Sequence, residues 1–462
     1  MRTFFFLLIA SLLWAACATP GSEPLTAPAR PAPQRPFGTL REQAERQQAW
    51  LKERLEVAVP QLMRQYGVEM WVVPMREYNE DPVFKALVFG TSFSARRRTI
   101  FVFQDMGPDK GVARLTLGGG AQGGLYEQRR MAAPATGSGA GRPIEPWGPD
   151  QWQMLKQVLE ERQPKSIAIN VSPTFALGDG LSHGEYEGMT QALGPEWTAR
   201  LKPSGGLPLD VLAWRSQDEG RFFHDENALA WDIIQTAFSS TVITPGATHV
   251  KEVEWWMRQR LGDLGLDTWF HPSVEVQRQG VTEEQLGEDP VIQRGDVLHC
   301  DFGITALRLN TDTQHMGYVL REGETDVPAG LKQALAHSNR LQDLVLEELH
   351  PGRTGNEVLR TVLGRMRQEG LDGSVYSHPV GLNGHGAGAL VGLWDRQEGV
   401  PGNGDHTLIP SMWYSVELQV TSPVPEWGGQ PVRSAQEEDV ILGPDGQARW
   451  AYQRQTTFHL VR

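Results

Sequence analysis

Cysteine is scarce in this sequence, since only Cys17 and Cys300 occur among 462 residues. Cys17 lies in an amino-terminal segment typical of an export signal. If that cysteine is lipidated or removed, Cys300 stands alone and no intrachain disulfide can form. A chain of this length does not need disulfides, because two ordinary domains can each bury a sufficient core. We therefore expect two large domains that are stabilised by packing.

Positive charge and long internal apolar runs are lacking as well. The formal net charge is −13, with 43 basic against 56 acidic residues. Nucleic-acid binding needs a basic face, so nucleic acid is excluded as the main partner. No internal run approaches the roughly 20 apolar residues of a membrane-spanning helix. Hydrophobic residues at 40% and charged residues at 21% indicate a soluble globular protein.

The amino-terminal segment carries a targeting pattern. Residues 1–18 combine one basic residue, an apolar run from Phe4 to Leu13 and then small residues, which is typical of a signal peptide. The sequence WAAC that ends at Cys17 resembles a bacterial lipobox, in which the cysteine would carry a lipid anchor. Cleavage after Ala18 would instead release an unanchored protein. We expect export from the cytoplasm, as a periplasmic protein or as a membrane-anchored lipoprotein.

The rest of the chain divides into three regions. Residues 19–38 contain six prolines and predict an extended tether. Residues 39–215 alternate helices and strands, which predicts an α/β domain, and residues 221–462 place helices before antiparallel strands, which predicts an α+β domain. The Gly-rich segment 117–143 predicts a surface loop, because no phosphate-binding pattern surrounds it. Helices are expected over 40–66, 151–161, 248–265, 328–349 and 355–369, and strands over 71–75, 99–103, 166–171, 297–309, 413–420 and 438–442.

Three of these strand-like runs carry acids in apolar surroundings. Asp301 interrupts VLHCDFGITALRL, Glu417 lies within SVEL, and Glu437 precedes the run EDVIL. Buried carboxylates are costly unless they are paired or bind a cation. Asp312 follows Asp301 by eleven residues, so a hairpin would bring both acids to one end of a sheet. His299 would share the face of Asp301, because side chains alternate along a strand.

Taken singly, each acid also fits a turn or a solvated surface. Together with one histidine they predict a site for Mn²⁺, Zn²⁺ or Co²⁺. Carboxylates that bridge would allow two ions about 3.5–4 Å apart, as in two-metal hydrolases. The stretch HPVGLNGHG contains two histidines, His378 and His385. From the residues alone, these are two ligands, one ligand and one acid/base group, or ordinary loop histidines.

The order Asp301, Asp312, His378, Glu417 and Glu437 resembles the metal-ligand series of the pita-bread metallopeptidases. This superfamily includes methionine aminopeptidase, aminopeptidase P, prolidase and creatinase. The segments DFGITALRLNTDT, HPVGLNGHG, SVEL and QEEDV are similar to its sequence elements, in the same order. The resemblance covers about residues 221–462. The preceding domain, with its HGEYEGM segment, is similar to the amino-terminal domain of the aminopeptidase P and prolidase branch.

This resemblance implies a pita-bread α+β catalytic domain behind a creatinase-type α/β domain. It implies that Asp312 and Glu437 bridge two divalent ions, that Asp301 completes one ion, and that His378 and Glu417 complete the other. Glu417 would also relay a proton, and His385 would hydrogen-bond the substrate carbonyl oxygen. The expected function is an exported aminopeptidase or dipeptidase of Xaa-Pro type that cleaves short peptides. The alternatives are another C–N hydrolase and an inactive metal- or peptide-binding homologue, and a homodimer is one expectation for the assembly.

The sequence departs from the family pattern around the substrate pocket. A histidine is common about seventeen residues before the first aspartate, where this chain has acidic residues, and His271 and His299 are the other candidates for that place. We expect that metal binding is kept and that the substrate pocket has diverged. The departures are Glu283 and Glu284 at the position of that histidine, Gln314-His315-Met316 where the family has T-R-T, and Ala435 where an arginine is common.

Overall fold

The computed structural model describes residues 35–131 and 148–462. The predictions for the signal segment, for Cys17 and for most of the tether lie outside these residues. At the end of the predicted tether, the ring of Phe37 packs edge-on against Phe222, with 4.8 Å between the ring centroids. None of the described helices combines the length and the apolar character that crossing a bilayer requires.

The amino-terminal domain begins with a long helix, as the sequence predicts. Thr39 and Glu42 form a capping box, and a π-helical turn at Arg54–Ala58 joins α1 to α2. The helices are α1 (Leu40–Glu53), α2 (Val59–Gln65), α3 (Phe84–Leu87), α4 (Pro149–Arg162), α5 (His183–Thr198) and α6 (Gly206–Ala213). The strands are β1 (Met70–Arg76), β2 (Arg98–Asp105), β3 (Val112–Leu117), β4 (Glu127–Arg129), β5 (Ile167–Ile169) and β6 (Leu201–Pro203).

These six strands form one mixed sheet in the order β4-β3-β2-β1-β5-β6. Both of its faces are buried, which explains the nearly continuous apolar runs of β1 and β2. Trp71 packs in the core that contains Leu62 of α2. Its neighbour Val72 points the other way, into the core that contains Leu155 of α4. The α/β interpretation of this half is confirmed.

The Gly-rich segment is more ordered than expected. Residues Glu127–Arg129 form β4, which pairs in parallel with β3. The preceding Tyr126 is buried and its hydroxyl donates to the carbonyl oxygen of Leu87. The prediction of a plain surface loop is therefore wrong for this part, because one buried aromatic ring anchors it. Residues 132–147 of the segment lie outside the described residues.

The carboxy-terminal domain contains long helices around a second sheet. Its helices are α7 (Gln217–Ala237), α8 (Val250–Asp263), α9 (Glu283–Leu286), α10 (Ala329–Glu348) and α11 (Gly355–Gln368). Its strands are β7 (Ser273–Gln277), β8 (Val297–Phe302), β9 (Thr305–Ala306), β10 (Leu309–Asn310), β11 (Thr313–Val319), β12 (Asp372–Val375), β13 (His378–Val380), β14 (Met412–Val424), β15 (Gln430–Leu442), β16 (Ala448–Trp450) and β17 (His459–Val461).

The central path of this sheet runs β12-β14-β15-β11-β8-β7. Helices cover its apolar face. Leu298 and Cys300 of β8 lie in one core with Met257 of α8, and Leu418 of β14 lies in another with Leu341 of α10. The other face carries the polar side chains, so alternation along each strand separates the core from the candidate site. The α+β prediction is confirmed.

The predicted strand 297–309 is not continuous. It ends at Phe302, and β9 and β10 then form a small separate hairpin. Leu307 and Arg308 at its tip have φ angles of 50° and 70°, a left-handed turn that a straight strand excludes. The Arg308 guanidinium donates to carbonyl oxygens of the amino-terminal domain, including those of Phe89 and Ser92. The segment between Asp301 and Asp312 is thus anchored in the other domain.

Candidate metal centre

A single row of residues crosses five strands on the polar face of the second sheet. The cross-strand register pairs Ser273 with Asp301, Asp301 with Gln314, Gln314 with Glu437, and Glu437 with Glu417. Residues that are directly opposite on neighbouring strands point to the same face. Three carboxylates from distant parts of the chain are therefore placed side by side by strand register alone.

The remaining predicted ligands complete this row. His378 on β13 pairs with Ser415, which lies two residues before Glu417 and shares its face. Asp312 immediately precedes β11. The His378 Nε2 atom lies 3.4 Å from Asp312 Oδ2, 3.3 Å from Glu437 Oε1 and 4.0 Å from Glu417 Oε2.

The donor atoms fit a metal site. They form three overlapping groups in which all ligand atoms lie within 4.8 Å of one another. One group is Asp301, Asp312 and Glu437, another is His378, Glu417 and Glu437, and the third is Asp312, His378 and His385. Imidazole nitrogen with carboxylate oxygen suits Mn²⁺, Zn²⁺ and Co²⁺.

Several of these atoms are buried without a hydrogen-bond partner. They are Asp301 Oδ1, Asp312 Oδ1 and His378 Nε2. The other ring nitrogen of His378, Nδ1, lies 2.9 Å from the carbonyl oxygen of Pro379 and donates its proton there. Nε2 is therefore the ring nitrogen that is directed at the carboxylates, as in histidines that bind a metal. Orphaned buried acceptors at one point are expensive unless a cation joins them.

The pKa shifts of these side chains also fit a site for a cation. Burial, and then the charges of Glu437 and Glu417, raise the pKa of Asp301. Burial followed by Glu437 also raises the pKa of Asp312, and raises that of Glu417 to about 9. Burial lowers the pKa of His378, but the carboxylates of Asp312 and Glu437 outweigh it and leave that pKa raised. Such a cluster holds protons in place of the positive charge that it lacks.

Three residues that were not predicted as part of the site support the ligands. Gln314 Nε2 donates to Glu417 Oε1 at 2.5 Å and to Glu437 Oε2 at 2.8 Å. Ser415 Oγ donates to Glu437 Oε1 at 2.6 Å, and Asp439 Oδ2 accepts from the Asp312 amide at 3.1 Å. Hydrogen bonds of this kind fix the orientation of ligand carboxylates.

His385 differs from His378 in its surroundings. It is exposed, and its ring meets the edge of His378 at 4.7 Å and that of Trp269 at 5.1 Å. Gly384 allows this approach, because a Cβ there would lie 2.1 Å from Trp269 Cδ2. Burial, and then the charge of His378, lower the pKa of His385, which favours a neutral ring. A neutral imidazole at the open side of the cluster can donate one hydrogen bond to a substrate or lend one lone pair to a cation.

The structure shows where the residues lie that were considered with the departures from the family pattern. His299 contacts Gln314, with Nε2 3.0 Å from Oε1, so it joins the support of the ligands. His271 lies instead beside Trp255 and belongs to none of the three donor groups. Ala435 shares a face of β15 with Glu437, and so does Arg433 two residues earlier, which pairs with Glu275. The guanidinium of Arg433 is thus present on this face, two residues further along β15 from the cluster than Ala435.

Comparison with known proteins identifies the second domain. Residues 227–442 match the sequence profile of "Metallopeptidase family M24". No curated protein matches the chain in sequence.

Solved structures resemble almost the whole chain. The X-Pro aminopeptidase from Thermotoga maritima MSB8 superposes with a TM-score of 0.58 at 16% identity, covering 87% of this chain and 100% of that one. The Xaa-Pro dipeptidase from Bacillus anthracis gives 0.56 at 15% identity, covering 89% and 99%. The N-terminal domain of FACT complex subunit SPT16 from Cicer arietinum gives 0.53 at 11%, covering 90% and 99%. Identities this low establish the fold only.

The fold is that of the two-domain Xaa-Pro aminopeptidases and dipeptidases. The five predicted ligands lie together on the sheet of the domain that matches this metallopeptidase profile.

Proposed function

We propose that the protein is a metal-dependent peptidase, an aminopeptidase or dipeptidase of Xaa-Pro type that uses two divalent ions of Mn²⁺, Zn²⁺ or Co²⁺. One observation carries the proposal. Buried, unpartnered atoms of Asp301, Asp312 and His378 converge with Glu417 and Glu437 on one point of the sheet. A protein without a cation here would keep this arrangement at a cost in stability, with nothing to offset it.

The overlap of the donor groups supports two ions. Asp312, His378 and Glu437 each belong to two of the three groups, and Asp312 and Glu437 are the two carboxylates among them. Together with Asp301, His378 and Glu417, these two carboxylates would hold two divalent ions. Bound divalent cations lower the pKa of water and polarise a carbonyl oxygen.

The chain itself supplies orientation and proton transfer. His385 at the open side donates a hydrogen bond to the oxygen of the scissile carbonyl, where negative charge grows during attack. Glu417 accepts the proton of the attacking water and passes it to the leaving nitrogen. Gln314 holds Glu417 in place through the hydrogen bond to Oε1. Trp269 borders the substrate beside His385.

Two alternatives remain distinct from this proposal. The same site could hydrolyse another C–N bond, since one fold serves several chemistries. An inactive binding protein is the other alternative, and it has support because one similar structure is named as a subunit of the FACT complex and not as a peptidase. Metal content and peptide cleavage separate the three possibilities.

The test measures both properties on the full chain. The protein is loaded with Mn²⁺, Zn²⁺ or Co²⁺, its metal content is determined, and Xaa-Pro dipeptides and tripeptides are offered beside matched Xaa-Ala peptides. We expect metal-dependent cleavage that disappears in Asp312→Asn. Asp372→Asn, the same change at an exposed position of β12, is the control and should behave as wild type. Stoichiometric metal without cleavage of any peptide would refute the peptidase.

We also propose that the protein is exported, as a periplasmic protein or a lipoprotein anchored at Cys17. The proposal is supported by the composition of residues 1–18. Palmitate labelling of whole cells should label the wild type and not Cys17→Ser. An unlabelled wild type found in the periplasmic fraction would favour cleavage after Ala18, and a cytoplasmic one would refute export.

A further inference from the structure

A buried guanidinium lies between the two domains without a carboxylate partner. Arg215 stands between α6 and α7 and is 3% exposed. Its Nη1 donates to the carbonyl oxygen of Trp214 at 2.7 Å, and its Nε has no hydrogen-bond partner. The guanidinium carbon lies 5.2 Å from the centroid of the Trp413 ring. Among the described residues, no acid forms an ion pair with it.

The acid that raises the pKa of Arg215 by its charge is already engaged. Glu219 accepts from Arg54 Nη2 at 2.5 Å and from the Ser216 amide at 2.7 Å. The Glu219 carboxylate therefore pairs with Arg54, and the guanidinium of Arg215 has no carboxylate of its own. Burial lowers the pKa of Arg215 to about 9, which still leaves it charged at neutral pH. A buried cation without a partner is destabilising, so a bound anion would stabilise this region.

A cavity of about 610 Å³ lies beside this charge. Arg215 and the first turn of α7 border one side of it, and Trp413, Ile441 and Leu442 form apolar walls. The N-terminal end of a helix of 21 residues favours negative charge. The volume is in the range of small-molecule sites, which combine apolar walls with few polar groups.

The cavity is separate from the candidate metal centre. Neither histidine of HPVGLNGHG and none of the four acidic ligands borders it. Gly381 of that segment lies close to the guanidinium, since a Cβ there would lie 2.3 Å from Arg215 Nη2. Arg215 thus borders the cavity and also lies close to this segment.

We propose that this cavity binds a small organic carboxylate with an apolar body. The carboxylate pairs with Arg215 near the start of α7, and the apolar body lies against Trp413, Ile441 and Leu442. The unpaired buried cation requires the negative charge, and the apolar walls require a ligand larger and less polar than a simple inorganic anion.

Octanoate is a suitable probe, because it carries one carboxylate on an apolar chain. Calorimetric titration and thermal unfolding of the full-length protein should show octanoate binding and stabilisation. Octan-1-ol and octylamine, which lack the negative charge, should bind at least tenfold more weakly, and inorganic phosphate, which lacks the chain, likewise. Phosphate binding as tight as octanoate, or no octanoate binding at millimolar concentration, would overturn the proposal.

Two variants locate the site. Arg215→Leu should weaken octanoate binding at least tenfold, whereas Arg360→Leu, the same change at an exposed position of α11, should leave it unchanged. Because Arg215→Leu can disturb folding, Gly220→Leu gives an independent test. A Cβ at Gly220 meets only Ile441 Cδ1, at 3.5 Å, so the larger side chain can enter the cavity. Undiminished octanoate binding in either cavity variant, with both folded, would refute the site.

Discussion

Two pairs of histidines lie on opposite faces of the same sheet. On one face, His378 and His385 meet at a centroid distance of 4.7 Å beside the acidic row. On the other face, His315 Nδ1 lies 3.0 Å from His459 Nε2, among Trp231 and Phe238. Gln314 and His315 are consecutive, so one step along β11 separates the two environments.

The difference lies in what surrounds each pair. His378 faces several acids that have no positive partner, and His385 opens to solvent. His315 has a single acid nearby, Glu438 at 3.1 Å, and is closed in on all sides. The consecutive acids Glu437 and Glu438 divide in the same way, one toward the ligands and one toward His315. Residue type alone therefore does not mark a functional site; the excess of negative charge around His378 does.

The strongest test of this contrast is removal of the ligand histidine. His378→Ala should lose metal and peptidase activity together, because Nε2 is the nitrogen of the donor set. Metal content by elemental analysis and cleavage of a Xaa-Pro peptide measure the two losses. A His378→Ala protein that keeps two ions per chain would show that the donor set has been assigned incorrectly.

The second test concerns His385. His385→Ala should keep its metal and lose about 10²–10³-fold in kcat, as is typical when a hydrogen-bond donor to the developing oxyanion is removed. His385→Gln, which retains a donor, should recover part of that rate. Since His385 also belongs to one donor group with Asp312 and His378, metal loss in His385→Ala would make it a ligand instead.

A smaller effect is expected at Gln314. Gln314→Leu removes the amide that holds Glu417 and Glu437 and should weaken metal affinity about 10–100-fold, the usual cost of losing such a support. Titration of the metal-free protein measures this change directly. Gln314→Glu should weaken binding less than the leucine variant if an added carboxylate ligates the ions, and calorimetry compares the two. Unchanged affinity in Gln314→Leu would leave the amide without a role.

The sequence predicted the long elements well, and the structure places the predicted ligands close together. Helices with apolar faces and the hairpin between Asp301 and Asp312 depend on local patterns, and the structure contains them. Register between distant strands does not depend on such patterns. Gln314 looked like a departure from the family pattern, and only the pairing of β11 with β15 shows that it touches two ligands. The sequence did not predict short strands such as β7 and β13. Pairing with neighbouring strands makes these residues extended, and the pattern of so few residues does not indicate it.

Substitution in the pair of His315 and His459 should have the smallest effect on activity. It should also change how stability depends on pH. Burial lowers the pKa of His315 and of His459 to about 3, so the folded protein keeps both rings neutral where the unfolded chain protonates them. Their contribution to stability is therefore complete above the unfolded pKa of about 6.5 and is lost as pH falls toward 3.

His459→Phe removes one of these groups, and urea unfolding at several pH values should show a shallower loss of stability below pH 6.5, by up to about 1.4 kcal/mol per pH unit. Peptidase activity at neutral pH should stay within about twofold of wild type, because this pair lies on the face of the sheet opposite to the ligands. A collapse of activity in folded His459→Phe would mean that the two faces are coupled and that the contrast between the two histidine pairs is incorrect.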